Sequence, residues 1–111
     1  MDPIQIVQRY YDLDSLAYHI LLVHGRAVTR KALEVAKLVP QFNPDLTFIA
    51  ESAVLHDIGI FMTKAPEIGC NGTMPYICHG YLGREVLEKE GLPKHALVCE
   101  RHIGVGSRPR S

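Results

Sequence analysis

The chain has 111 residues, with 12 basic and 12 acidic side chains and 47 % hydrophobic residues. That length suits one compact domain over 1–111, without room for separate binding and catalytic modules, and the hydrophobic share argues against low-complexity disorder. The balanced charge offers no whole-molecule field to attract nucleic acid or an acidic membrane surface.

Three cysteines, Cys70, Cys78 and Cys99, form neither a Cys-x-x-Cys pair nor an even set. They read as reduced, buried thiols of a cytoplasmic protein rather than as a disulfide framework or a zinc ribbon. Met1-Asp2-Pro3 lacks the basic region and apolar core of a signal peptide. The longest apolar run, Ile20 to Val23, is far too short to cross a bilayer, so no membrane partner is expected.

In chain order, Asp2-Pro3 carries cap-plus-proline chemistry and opens an N-terminal helix within 1–14, with Ile4, Val7 and Tyr11 at helical spacing. Asp14-Ser15 caps a long pattern through Leu22, Val28, Ala32, Val35 and Val39, read as one helix or a bent pair with Gly25 as the weak point. Asn43-Pro44 repeats the start signal, and Phe48, Ile49, Ala53, Val54 and Leu55 predict an apolar helix running to Gly59. Pro66, Gly69, Gly72 and Pro75 break every period between Phe61 and Ile77, which reads as a loop carrying short turns. A helix resumes near His79 and stops at Gly91, and Pro93 opens the last one. No convincing period-two strand is present. The fold class is all-α, a compact bundle of about five helices, with residues 104–111 as a frayed tail.

The chemistry centres on Ala53-Val54-Leu55-His56-Asp57-Ile58-Gly59. An apolar helix ends there in an imidazole beside a carboxylate, a donor pair suited to a first-row transition metal. A carboxylate in such a setting is costly without a partner, and a cation is the simplest one. The pair taken alone is common, and its members could equally pair with each other or cap backbone. His24, His79 and His102 change the weighing, because each lies at or near a suspected helix boundary, where termini can gather around one pocket. His19 falls on a different helical face from His24 and reads as a packing residue, and His95 as a surface residue.

The order His24, His56-Asp57, His79, His102, with the literal string His56-Asp57-Ile58-Gly59, resembles the HD superfamily in its HDIG-type members over roughly Ser15 to Gly106. The resemblance implies a helical bundle holding one or two divalent ions (iron, manganese, nickel, zinc or cobalt). It also implies hydrolysis of a phosphate ester or anhydride, with a nucleotide or another small phosphorylated compound as partner. His24, His56 and Asp57 would hold the first ion, and Asp57 would bridge to a second held by His79 and His102. Lys64, in the loop after the pair, is the candidate for orienting a substrate phosphate in catalysis, ahead of Arg26 and Arg101. The family pattern closes with a further aspartate, whereas Ile103 to Ser111 contain no acid. The domain therefore reads as truncated before that ligand or lacking it, which leaves open a non-catalytic metal- or nucleotide-binding domain. A missing terminal helix would also expose an apolar patch that a second copy could cover in a homo-oligomer.

Overall fold

The computed structural model describes residues 1–102. The tail expected over 104–111, with Arg108 and Arg110, lies outside the described residues. Five α-helices dominate the described part: α1 (Pro3–Gln8), α2 (Leu16–Lys37), α3 (Leu46–Leu55), α4 (His79–Lys89) and α5 (Pro93–Arg101). The all-α reading is correct.

Side-chain caps set three of the helix starts. Asp2 accepts the Ile4 N–H at 3.0 Å, Ser15 the Tyr18 N–H at 3.1 Å and Asp45 the Phe48 N–H at 3.0 Å. The third cap falls later than the Asn43-Pro44 signal. Asn43 instead takes a left-handed φ of 47° and closes the short 3-10 turn Pro40–Phe42, leaving the carboxylate of Asp45 to satisfy one of the free first-turn amides of α3, that of Phe48.

The N-terminal helix ends at Gln8 rather than continuing toward Asp14. The N–H groups of Tyr10 and Tyr11 both bond back to the Val7 carbonyl, and the chain turns so that Tyr11 enters the core at 6 % exposure. Gly25 does not interrupt α2. A Cβ there would meet Val54 Cα at 3.5 Å, so the glycine sits where α2 crosses α3. The apolar helix α3 ends at Leu55 rather than reaching Gly59, and a 3-10 turn, Ile58–Met62, continues the chain. The loop expected between Phe61 and Ile77 contains a two-residue antiparallel ladder, β1 (Lys64–Ala65) with β2 (Cys70–Asn71), too short for any periodic signal. Gly91, with φ of 76°, closes α4 as read from sequence.

The core joins all five helices to the Ile58–Met62 turn. Val7, Leu55, Ile58, Leu87 and Cys99 are fully buried within it. All three cysteines are buried free thiols, as expected.

Tyr11 ties α1 to the turn that follows Asp57. Its hydroxyl donates to the Ile58 carbonyl at 2.8 Å and accepts the Phe61 N–H at 3.0 Å. Burial pushes the phenol's pKa up, so the hydroxyl keeps its proton. Tyr11→Phe leaves a buried carbonyl and amide unpaired and should cost about 1–3 kcal/mol, read as a lowered urea midpoint at unchanged slope.

Along the outer side of α2 and α3 runs an apolar groove of about 550 Å³, lined in part by Val28, Ala32, Val35, Val39 and Ile49. No helix among the described residues is long and apolar enough to cross a membrane.

Candidate metal centre

Four imidazoles converge on one carboxylate. Asp57, 9 % exposed, lies just past the end of α3 with φ of −107° and ψ of 13°, outside helical geometry. Its Oδ2 lies 3.3 Å from His24 Nε2 and 3.2 Å from His56 Nε2. Its Oδ1 lies 3.2 Å from His79 Nε2 and 3.1 Å from His102 Nε2. His79 and His102 also face one another, Nε2 to Nε2, at 3.2 Å.

Local structure delivers three of these histidines in the same way. His56 is the C-cap of α3, His79 the first residue of α4 and His102 the C-cap of α5. Each turns its Nδ1 back onto the carbonyl three residues earlier, of Ala53, Tyr76 and Cys99 respectively. A carbonyl can only accept, so each Nδ1 carries the proton and donates it. His24 differs from the sequence reading: it stands in the interior of α2, which runs unbroken through Gly25, not at a boundary. Its imidazole is 52 % exposed, against 13 % for His56 and 5 % for His79.

The donor set fits a divalent ion. With Nδ1 protonated, a neutral imidazole presents the Nε2 lone pair, and a lone pair facing an ionised carboxylate oxygen is repulsive unless a cation lies between them. Four separate protons would place four positive charges around one negative charge in a largely buried site, which is expensive. An ion with several coordination positions satisfies the same lone pairs together. Donor atoms that share a first-row ion at about 2.0–2.2 Å stand about 3 Å apart, matching the spacings of 3.1–3.3 Å found here. Two donor groups result, His24/His56/Asp57 and Asp57/His79/His102, with Asp57 common to both. The backbone bonds on Nδ1 are the outer partners that metal-binding histidines ordinarily have.

Electrostatics in the metal-free protein follow from the same contacts. Burial alone would raise the Asp57 carboxyl, but hydrogen bonds from His102, His56 and His79 hold it well below the usual range. For His56, burial works against the charged form, and the hydrogen bond and charge of Asp57, with the Ala53 carbonyl, outweigh it and raise the pKa above 6.5. A histidine whose pKa is raised by folding contributes stability below its unfolded value and loses it as pH rises through the folded value. The depressed Asp57 gives its contribution at all pH values above the ordinary carboxylate range, so it does not alter this slope near neutrality. The thermal midpoint of metal-free protein should therefore fall between about pH 6 and about pH 8, and saturating manganese, which takes the proton's place, should reverse that slope. Thermal scans at several pH values with and without manganese check this.

The remaining sequence candidates are scattered. Lys64 is exposed on β1, with its backbone N–H bonded to the Met74 carbonyl at 2.9 Å, and does not line the cavity beside Asp57. Arg26 and Arg101 are exposed on α2 and at the end of α5. His19 is exposed rather than packed. His95, expected on the surface, is instead 12 % exposed, bonded to Glu51 at 3.0 Å and set against the Phe48 ring at 4.7 Å. Its position seven residues before His102 gives it the same helical face, and the pair with Glu51 fastens α5 to α3. Sequence reasoning also missed Tyr76, whose ring packs against His79 at 4.6 Å between centroids. Its place just before the histidine, in a proline-led turn, carries no signal distinguishing it from loop.

A cavity of about 230 Å³ opens beside His24 and Asp57, walled by residues of α2, the Ile58–Met62 turn and the segment around Ile68 and Tyr76.

Comparison with known proteins gives no family model that matches the chain and no solved structure that matches it. An uncharacterized protein of Methanocaldococcus jannaschii is 32 % identical over 97 residues, which cover 85 % of this chain and 51 % of that protein. A tRNA (cytidine(56)-2'-O)-methyltransferase of Thermoplasma volcanium is 29 % identical over 87 residues, or 78 % of this chain and 22 % of that enzyme. The chain thus spans about half the length of the first relative and about a fifth of the second.

Proposed function

We propose that this chain is an HD-type, metal-dependent phosphohydrolase domain acting on a phosphate ester or anhydride of a small compound. The observation that carries the reading is the single carboxylate of Asp57 shared by two sets of imidazole Nε2 atoms. Each set supplies three protein donors, the number found where a catalytic ion keeps a position open for water or substrate. Divalent ions bound there supply a water of lowered pKa and neutralise charge on phosphoryl oxygens.

The chain's own residues prepare that chemistry. The Nδ1–carbonyl bonds of His56, His79 and His102 fix ring orientation and tautomer, so the lone pairs point inward before any ion arrives. Asp57 provides the one negative charge in the donor set and joins its two halves. Buried Leu55, Ile58 and Cys99 close the core beside it, and the half-exposed His24 marks the side open to substrate.

Elemental analysis of purified protein, followed by phosphate-release assays on esters and anhydrides with added manganese, iron or nickel, tests the reading. Bound metal and metal-stimulated release are expected. Stoichiometric metal with no release under any of the three ions would favour a metal-binding domain without turnover, and absence of both would sink the proposal.

A further inference from the structure

We infer that the cavity beside His24 and Asp57 receives the organic group of a phosphomonoester, one apolar ring in size, and not a polyphosphate chain. The inference rests on the phosphohydrolase reading and adds the substrate class to it.

The walls of the cavity are apolar. Ala17, Ile20, Leu21, Ile60 and Ile68 supply aliphatic surface, and Tyr11 and Tyr76 supply rings. The Tyr11 hydroxyl already bonds Ile58 and Phe61, so it is committed to the fold. Tyr76 is 49 % exposed yet held against His79, which leaves ring surface available for stacking beside the donor set. Among the described residues that line the cavity there is no lysine or arginine, and its only strongly polar side chains besides the two tyrosines are His24 and Asp57.

Two consequences follow. A triphosphate or pyrophosphate tail pushed into this space would meet aliphatic walls and a carboxylate, with no side-chain cation to replace its water. An apolar ring loses nothing there. An apolar cavity of about 150 Å³ is enough for benzene, whereas drug-sized ligands take about 300–1,000 Å³; the 230 Å³ here suits one ring. With the ring against the aliphatic walls, the phosphoryl group falls beside His24 and Asp57, which line the same cavity. Hydrolysis then adds water across the ester bond. The water oxygen joins phosphorus, the ester oxygen leaves with its electron pair and takes up a proton from that water, and the alcohol and inorganic phosphate are the products.

The test uses the whole, manganese-loaded chain. Calorimetric titration should show phenylphosphonate binding at least about tenfold more tightly than methylphosphonate, from burial of the ring alone. Phenyl phosphate should be cleaved with a higher kcat/KM than pyrophosphate or ATP. Ile20→Trp fills the cavity and should shrink the phosphonate preference to within twofold at unchanged far-UV circular dichroism. Ile68→Trp, in the half-buried Pro66–Ile68 turn, repeats the test if the first variant misfolds. Equal affinity for the two phosphonates, a preference that survives both tryptophans, or better turnover of pyrophosphate or ATP would overturn the inference and leave the phosphohydrolase reading standing. Selective phenylphosphonate binding with no release from any ester would retain the ligand class and overturn the phosphohydrolase reading.

Discussion

Replacing Asp57 with alanine should strip the protein of bound divalent metal and lower metal-stimulated phosphate release at least about a hundredfold. Loss of an outer partner of a metal-binding histidine already costs about 10–100-fold in affinity or activity, and Asp57 is inside that shell, within 3.1–3.3 Å of all four Nε2 atoms. Without its charge, two neighbouring dications would have only neutral imidazoles between them. Asp57→Asn separates this electrostatic role from folding. The amide keeps the shape of the carboxylate, and its oxygen and its two N–H groups can pair with Nε2 atoms that carry a proton or a lone pair. Metal-free Asp57→Asn should therefore unfold within about 1 kcal/mol of the parent protein while failing to retain metal. Elemental analysis beside urea unfolding reads both quantities. Unchanged metal content in both variants would show that the ligand assignment is wrong.

Gly59→Ala should be one of the two most damaging glycine-to-alanine changes among the described residues, beside Gly72→Ala, whose Cβ would meet the Met62 and Thr63 backbone. A Cβ at Gly59 would come within 3 Å of the His79 carbonyl oxygen and of the Gly83 nitrogen and Cα, all backbone atoms of α4. Backbone cannot swing aside as a side chain can, so α4 must retreat from the Ile58–Met62 turn. Helix α4 begins at His79, so the retreat also draws that Nε2 away from Asp57. A loss of about 3 kcal/mol or more, at or beyond the upper end for overpacked cores, should accompany reduced metal content in the Asp57/His79/His102 group. Gly69→Ala is the control. Its φ of 83° disfavours a side chain, but nothing lies within 4 Å of the added methyl, so the cost should stay near 1 kcal/mol with metal content unchanged. If the two variants lose equal stability, close packing is not the reason for glycine at position 59.

The glycine in His56-Asp57-Ile58-Gly59 thus has a physical task that the string does not reveal. Position 83, on a helix the sequence places elsewhere, creates the need for it: a Cβ there would itself collide with Cys99 Sγ. The turn after Asp57, α4 and α5 are packed at glycine-to-glycine and glycine-to-sulfur distance. That tightness brings His79 and His102 to the same carboxylate oxygen.

Local sequence was enough for the helical class, the cap-and-proline start at Asp2, the proline start at Pro93, the glycine stop at Gly91 and the burial of the three thiols. These are local properties: a cap needs one side chain and one amide, and an apolar stripe needs only its period. It also put His56, His79 and His102 at helix ends, because apolar periodicity stops at or near His56 and His102 and begins after His79. Tertiary structure decided what long-range packing controls. It carried α2 unbroken through Gly25, ended α1 early so that Tyr11 could reach Ile58 and Phe61, and drew His95 inward to Glu51. It also left Lys64 outside the cavity lining and built that cavity from α2, a 3-10 turn and Tyr76, segments with no shared pattern along the chain. Convergence of four imidazoles on Asp57 belongs to this second class, since residues from position 24 to position 102 meet only where three helix ends and the interior of a fourth helix pack together.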